Sequence, residues 1–190
     1  MHIRIAAIAL CMAMSSLAQA ENPHAGKMTA YYTQNLKAWA AGTDIVAAIK
    51  AQNEAHKSLS DADIEKLDQQ WRAEVKAKSG PLTTSLADKP LSKLLEEKRK
   101  EAGGKITELI IMDFKGLNVA QAPLTSDYMQ GDEPKWQKTF LVGPTAIFVD
   151  ELDFDKSSKR FQSQLSATIV DPATGAPIGA ITVGFDVEKL

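Results

Sequence analysis

The chain has 190 residues, 44% hydrophobic and 24% charged, a balance that excludes a disordered or collagen-like polymer. A formal charge of −2 leaves no basic surface to hold a phosphate backbone, which excludes nucleic acid as a partner. The one cysteine, Cys11, lies in a stretch that reads as an export signal. Arg4 precedes the apolar run Ile5 to Met14, and Ala18-Gln19-Ala20 places small residues where a signal peptidase reads. Cleavage after Ala20 is expected, giving a periplasmic chain of 170 residues that starts at Glu21, carries a formal charge of −3 and has no cysteine. Disulfides, thiol catalysis and cysteine metal sites are then excluded. An uncleaved anchor is the competing reading, but the run is shorter than the roughly 20 residues that span a bilayer. A lipoprotein would require a smaller residue than Leu10 before Cys11. No later segment is apolar enough to span, and residues 21–190 are expected to fold as one soluble domain around one core.

From Lys27 to about Gln52 the residues Tyr32, Leu36, Trp39, Val46 and Ile49 recur at mostly helical steps in an alanine-rich stretch. This predicts one long amphipathic helix, with Gly42 as the place for a kink. A second helix starts at Ser60, whose hydroxyl can cap the amide of Asp63, and its buried stripe is Ile64, Leu67, Trp71 and Val75. Ser79-Gly80-Pro81 ends it. A third opens at or after Pro90, carries Leu91, Leu94 and Leu95 on one side, and stops at Gly103-Gly104. The helical part therefore covers 27–104.

After Lys105 the period changes to two, and the part from 105 to 190 reads as sheet. Ile106 to Met112 and Leu117 to Gln121 form a hairpin about Asp113-Phe114-Lys115-Gly116. The stretch Ala122 to Phe140 is polar, and Asp132-Glu133-Pro134 looks like the start of a short helix. Three more strands are expected at about Ala146 to Phe154, Arg160 to Val170 and Ile178 to Val187, joined by short turns at Asp155 to Ser158 and Asp171 to Gly175. Helices ahead of a five-stranded antiparallel sheet make the class α+β.

Alternation assigns the faces. In the last strand Ile181, Val183, Phe185 and Val187 point one way, and Ala180, Thr182, Gly184 and Asp186 the other. In the strand before it Phe161, Leu165, Ala167 and Ile169 share one face, and Gln162, Gln164, Ser166 and Thr168 share the opposite one. The polar face is either solvated, as antiparallel sheets commonly are, or the lining of a polar cavity closed by the Ala122 to Phe140 segment.

At Asp113-Phe114-Lys115-Gly116-Leu117-Asn118-Val119 and at Asp171-Pro172-Ala173-Thr174-Gly175-Ala176-Pro177-Ile178-Gly179-Ala180, the sequence resembles extracytoplasmic Cache domains, PAS-like sensor folds of bacteria. The likeness runs from about Lys27 to Leu190. Asn118 to Phe140, with Thr125-Ser126-Asp127-Tyr128 and Gly131-Asp132-Glu133-Pro134-Lys135-Trp136, resembles the stand-alone periplasmic subgroup described as PDC-type sensors. The resemblance implies a long N-terminal helix on a five-stranded antiparallel sheet, with small ligands held between the opposite sheet face and the connecting segment. It also implies a membrane-bound sensor kinase or chemoreceptor as partner, since the sequence has no transmitter module. The arginine, tryptophan and tyrosine pattern of amino-acid-binding members is not recognisable, so an amino acid ligand is not carried over.

Enzyme signatures are missing: there is no nucleophile elbow, phosphate loop, dinucleotide fingerprint or zinc helix, and no cofactor or metal is expected. His2 leaves with the signal, His24 lies near the new N-terminus, and His56 has no nucleophile in view. The run Asp150-Glu151-Leu152-Asp153-Phe154-Asp155 invites a calcium reading, but it lacks the glycine and closing glutamate of a calcium loop, and alternation splits its carboxylates. The candidate ligand-binding residues are Asp127, Tyr128 and Trp136, with Thr125, Ser126 and Gln130 as supporting polar groups. Their structural alternatives are that Trp136 anchors the short helix and that Asp127 caps a turn. Two functions follow. One is a small-molecule sensor, and the other is an envelope protein that uses the Tyr32 to Ile49 helix to form a homodimer or to dock, without a ligand.

Overall fold

Local signals of very different strength set the helices. The computed structural model describes residues 22–155 and 160–190; the export signal, its cleavage after Ala20 and turn residues 156–158 lie outside them. The long first helix is in fact three: α1 (Ala25–Asn35), α2 (Lys37–Ala40) and α3 (Thr43–His56). The expected kink at Gly42 is a full break, because Gly42 is extended with ψ 152. A second break falls at Leu36, which is buried in the core.

Helix α4 (Asp61–Ala77) starts as expected. Ser60 Oγ accepts the Asp63 N–H at 3.2 Å and the Asp63 carboxylate accepts the Ser60 N–H at 3.1 Å, a reciprocal cap. A short α5 (Pro81–Ala87), read as a loop from Ser79-Gly80-Pro81, uses that proline as its first residue. Helix α6 (Pro90–Glu101) follows the predicted bounds and ends ahead of Gly103-Gly104. Among the described residues no helix is long and apolar enough to cross a membrane.

The strands are β1 (Ile106–Met112), β2 (Asn118–Ala122), β3 (Ile147–Val149), β4 (Asp153–Asp155), β5 (Arg160–Val170) and β6 (Pro177–Asp186), with α7 (Pro134–Gln137) between β2 and β3. All pairings are antiparallel, in the order β2-β1-β6-β5-β3 with β4 also on β5. The sheet has six strands rather than five because Asp150, Glu151 and Leu152 interrupt the expected Ala146 to Phe154 strand. The Asp113 to Gly116 turn closes the β1–β2 hairpin. Gly116 is obligatory there: its φ is +78, and a Cβ would collide with the backbone of Gly131.

Helices α1, α3 and α6 cover one face of the sheet. Met28, Tyr32, Ile45, Ile49 and Leu95 meet Leu109, Ile111, Leu165, Ala167, Ile181, Val183 and Phe185 in a continuous buried core. Phe161 departs from its expected face partners: it is 42% exposed, tilted against Phe154 with ring centroids 5.1 Å apart at the end of the sheet. On the other face Trp136 of α7 stacks on Phe140 and packs over Ile110, Met112 and Ala180. A third cluster joins α4 and α5 to the segment after β2 through Trp71, Leu86, Leu117 and Tyr128.

Candidate functional site

The connecting segment after β2 is tied to α4. Asp68 Oδ1 accepts the backbone N–H groups of Tyr128 and Met129 at 2.8 and 3.0 Å, and Trp71 Nε1 donates to the Thr125 carbonyl at 3.0 Å. Arg72 bridges Asp68 at 2.6 Å and Asp127 at 3.3 Å. Of the six predicted site residues, Thr125, Ser126, Asp127 and Gln130 form one network. Thr125 Oγ1 donates to the Asp127 carbonyl at 2.6 Å, Ser126 Oγ donates to the Asp127 carboxylate at 3.0 Å, and Gln130 Nε2 donates to that carboxylate at 3.0 Å.

The structure does not bring Asp127, Tyr128 and Trp136 to one concavity. Asp127 is engaged by Arg72, Ser126 and Gln130. Tyr128 stacks on Trp71 with ring centroids 5.4 Å apart and lines a cavity on the helical side. Burial raises its phenol above the ordinary value, with the Asp113 carboxylate adding to the effect. Trp136 lies across the sheet, its Nε1 donating to the Asp113 carbonyl at 3.1 Å. The expected floor is also closed: Ser166 and Thr182 are fully buried and share a hydrogen bond of 2.8 Å.

Beside that closed floor the polar face opens into a recess of about 380 Å³. Its floor is Glu108, Gln164 and Gly184, its roof Glu133 and Lys135, and its side the Asp150 to Asp153 link between β3 and β4. A β-bulge between Ile106 and Glu108 turns both Thr107 and Glu108 toward Gly184. A Cβ on Gly184 would sit 2.6 Å from each of them, so glycine leaves the recess its depth. Gln164 Nε2 donates to Glu108 at 2.6 Å, while the Thr107 hydroxyl is buried with no hydrogen-bond partner among the described residues. Glu133 pairs with Lys135 at 3.1 Å, and burial raises the Glu133 pKa against that partner. Five carboxylates thus line the recess against one ammonium. Among the described residues no three acids or histidines gather as metal ligands would, so the negative charge is spread along the walls.

The helical side holds a larger cavity of about 970 Å³ between α3, α5, α6 and β2, walled mainly by leucine and alanine side chains. Its polar floor is Gln52, His56 and Lys89, and behind Gln52 and His56 lies Asp113, which is fully buried. Asp113 Oδ1 accepts the N–H groups of Lys115 and Leu117 at 2.8 and 2.9 Å. Its Oδ2 lies 3.1 Å from Gln52 Nε2 and 2.7 Å from His56 Nδ1. Lys89 donates to Gln52 Oε1 and to the Val119 carbonyl, both at 3.1 Å. Burial holds the Lys89 ammonium below its usual pKa, opposed by the Asp113 charge.

Sequence reasoning missed both sets of lining residues. Gln164 and Gly184 were legible on the polar faces of their strands, and the acidic run at Asp150 to Asp153 was visible as charge, but nothing placed Glu108 beside them or showed that the run folds over that face. Gln52, His56, Lys89 and Asp113 come from three separated stretches and carry no common spacing.

No family model matches the chain, and no curated protein does. Among solved structures it is similar to the ligand-binding domain of the Pseudomonas aeruginosa PAO1 amino acid chemoreceptor PctC in complex with GABA, with a TM-score of 0.37 and 11% identity over 84% of this chain and 62% of that one. It is similar to the sensory domain of the Campylobacter jejuni chemoreceptor Tlp3, with a TM-score of 0.40 and 15% identity over 84% of this chain and 64% of that one. The sensor domain of the V. cholerae histidine kinase DctB gives a TM-score of 0.39 and 11% identity over 77% of this chain and 57% of that one. The matched part of these domains is thus about 57 to 64% of their length. By its own layering, with helices on one face of an antiparallel sheet and a connecting segment on the other, the chain has the α+β architecture that its sequence predicts.

Proposed function

We propose that residues 21–190 form one exported, periplasmic sensor domain that binds a small molecule bearing an ammonium group in the polar-face recess and reports occupancy to a membrane-bound sensor kinase or chemoreceptor. The recess carries this reading: it lies where the Cache resemblance implies a ligand, between the sheet and the connecting segment, and its five carboxylates outnumber the single Lys135. Its volume of about 380 Å³ suits a small metabolite. Periplasmic location rests on Arg4, the apolar run and Ala18-Gln19-Ala20.

The competing reading, a homodimer through the first helix, is weakened by where that helix spends its apolar stripe. Tyr32, Leu36 and Ile49 are buried against the chain's own sheet, and two breaks divide the helix.

Thermal-shift screening of the mature chain against amines, amino acids and organic acids tests the reading, because a ligand that binds only the folded state raises the melting temperature. Amine-bearing compounds should raise it, and Glu108→Gln should blunt that response. A panel in which only organic acids shift the transition would overturn the assignment of the recess.

A further inference from the structure

We propose that the helical-side cavity is a second binding site, for an apolar molecule carrying a single carboxylate, with the head at Lys89 and the body along Leu82, Leu86, Leu91 and Leu94. The inference is independent of the ammonium site, which lies on the other face of the sheet.

The charge pattern of the floor leads to it. Lys89 donates to two neutral oxygens, and among the described residues it forms no ion pair. Asp113, the acid beside it, has both carboxylate oxygens occupied by the donors from Lys115, Leu117, Gln52 and His56. It therefore serves the hairpin and α3 rather than Lys89. An ammonium has three donors, so one remains for an incoming anion. A partly desolvated cation with only neutral partners is costly, and a carboxylate entering the cavity would offset that cost with a charge-assisted hydrogen bond.

The scaffold holds Lys89 in place. It precedes Pro90, the first residue of α6, and its ammonium takes the carbonyl of Val119, the residue set out of register in edge strand β2. Gln52 takes the neighbouring carbonyl of Asn118 at 3.1 Å. These contacts satisfy two edge carbonyls and point a donor group at an apolar chamber. At the mouth, Asp44 and Glu97 stand with Lys93, so the positive end of the site is its floor. A molecule with its anion leading and its hydrocarbon trailing fits this polarity. Its body would replace water along apolar walls, the combination of apolar lining and few placed polar groups that small-molecule sites share.

Octanoate, octanol and octylamine, matched in chain length, test the site by calorimetric titration of the mature chain and of Lys89→Met. Octanoate should bind more tightly than octanol, and Lys89→Met should weaken octanoate on the order of tenfold, the loss of one charge-assisted hydrogen bond. Octanol should bind the variant as it binds the parent, which also reports that the variant is folded. Octylamine displacing bound octanoate as effectively as octanoate itself, or an octanoate affinity unchanged in Lys89→Met, would overturn the carboxylate assignment. Failure of both octanoate and octanol to bind the parent chain would overturn the site itself. None of these results bears on the amine response of Glu108→Gln.

Discussion

The two faces of the sheet are built for different ends. The helix-covered face is dry, with Leu109, Ile111, Leu165, Val183 and Phe185 all without solvent exposure. The opposite face alternates between a small apolar patch under Trp136, a buried hydroxyl pair and an open acidic recess. Apolar packing needs no directional partner and tolerates any neighbour that fills space. Polar groups must be matched one by one, so a face that leaves some of them facing a recess gives up stability and gains selectivity. The Asp113 to Gly116 turn belongs to both faces. The Asp113 side chain holds Gln52 and His56 on the helical side, while its carbonyl accepts from Trp136 on the other.

The largest effect that can break this contrast is expected on the dry face. Phe185 has no exposure and meets Tyr31 edge to face with ring centroids 5.5 Å apart. Phe185→Ala should destabilise by about 3–5 kcal/mol, read from the midpoint and slope of urea unfolding. A loss below about 1 kcal/mol would mean that the core lies elsewhere.

Next comes the hydroxyl pair of the polar face. Ser166→Ala leaves the Thr182 hydroxyl buried without its partner and should cost about 1–3 kcal/mol. Ser166→Ala combined with Thr182→Val replaces both groups by apolar ones, and it should recover most of that loss. If the double variant is as unstable as the sum of the singles, the pair is not an isolated hydrogen bond and the face is more connected than its geometry indicates.

Smaller still is the effect of Glu108→Gln on folding. Its carboxylate accepts one hydrogen bond from Gln164, which an amide oxygen can also accept, so stability should change by less than about 0.5 kcal/mol. The thermal response to amines should fall nonetheless. A large loss of stability would mark Glu108 as a structural residue and not a recess wall.

What was legible in the sequence follows the same division. Ser60 with Asp63, Pro134 at the start of α7, and the alternation of Ile181, Val183 and Phe185 are local signals, and each element they predict is present. The break at Leu36 was not legible, because a buried leucine in an alanine-rich helix carries no stop signal; packing against the sheet sets it. Helix α5 was hidden behind Ser79-Gly80-Pro81, which reads as an ending although proline also begins helices. The split of β3 from β4 at Asp150 to Leu152 was visible as charge and invisible as geometry. The connecting segment shows the limit most clearly. Asp127, Tyr128 and Gln130 had the composition of a binding loop, yet Arg72 and Trp71 of α4 engage the segment, and no spacing rule links residues 55 or more positions apart.

The smallest effect is electrostatic and sits at the rim of the dry face, where Lys50 of α3 reaches Asp171 in the β5–β6 turn at 2.9 Å. The hydrogen bond from Lys50, with that from the Ala173 amide, holds the Asp171 carboxyl below the ordinary carboxylate range. The folded chain therefore binds the proton on Asp171 less readily than the unfolded chain does. That contribution to stability is fully present above the unfolded pKa and is lost as pH falls through the lower folded one. Lys50→Met should lower the melting temperature slightly near neutral pH, and the gap from the parent chain should close as the solution becomes strongly acidic. Added salt should narrow the gap as well, since the Lys50 side chain is 52% exposed and its charge is screened. A gap that persists at strongly acidic pH would show that the Lys50 stem, lying along α3, stabilises by packing, and the rim would then belong with the apolar face in kind as well as in place.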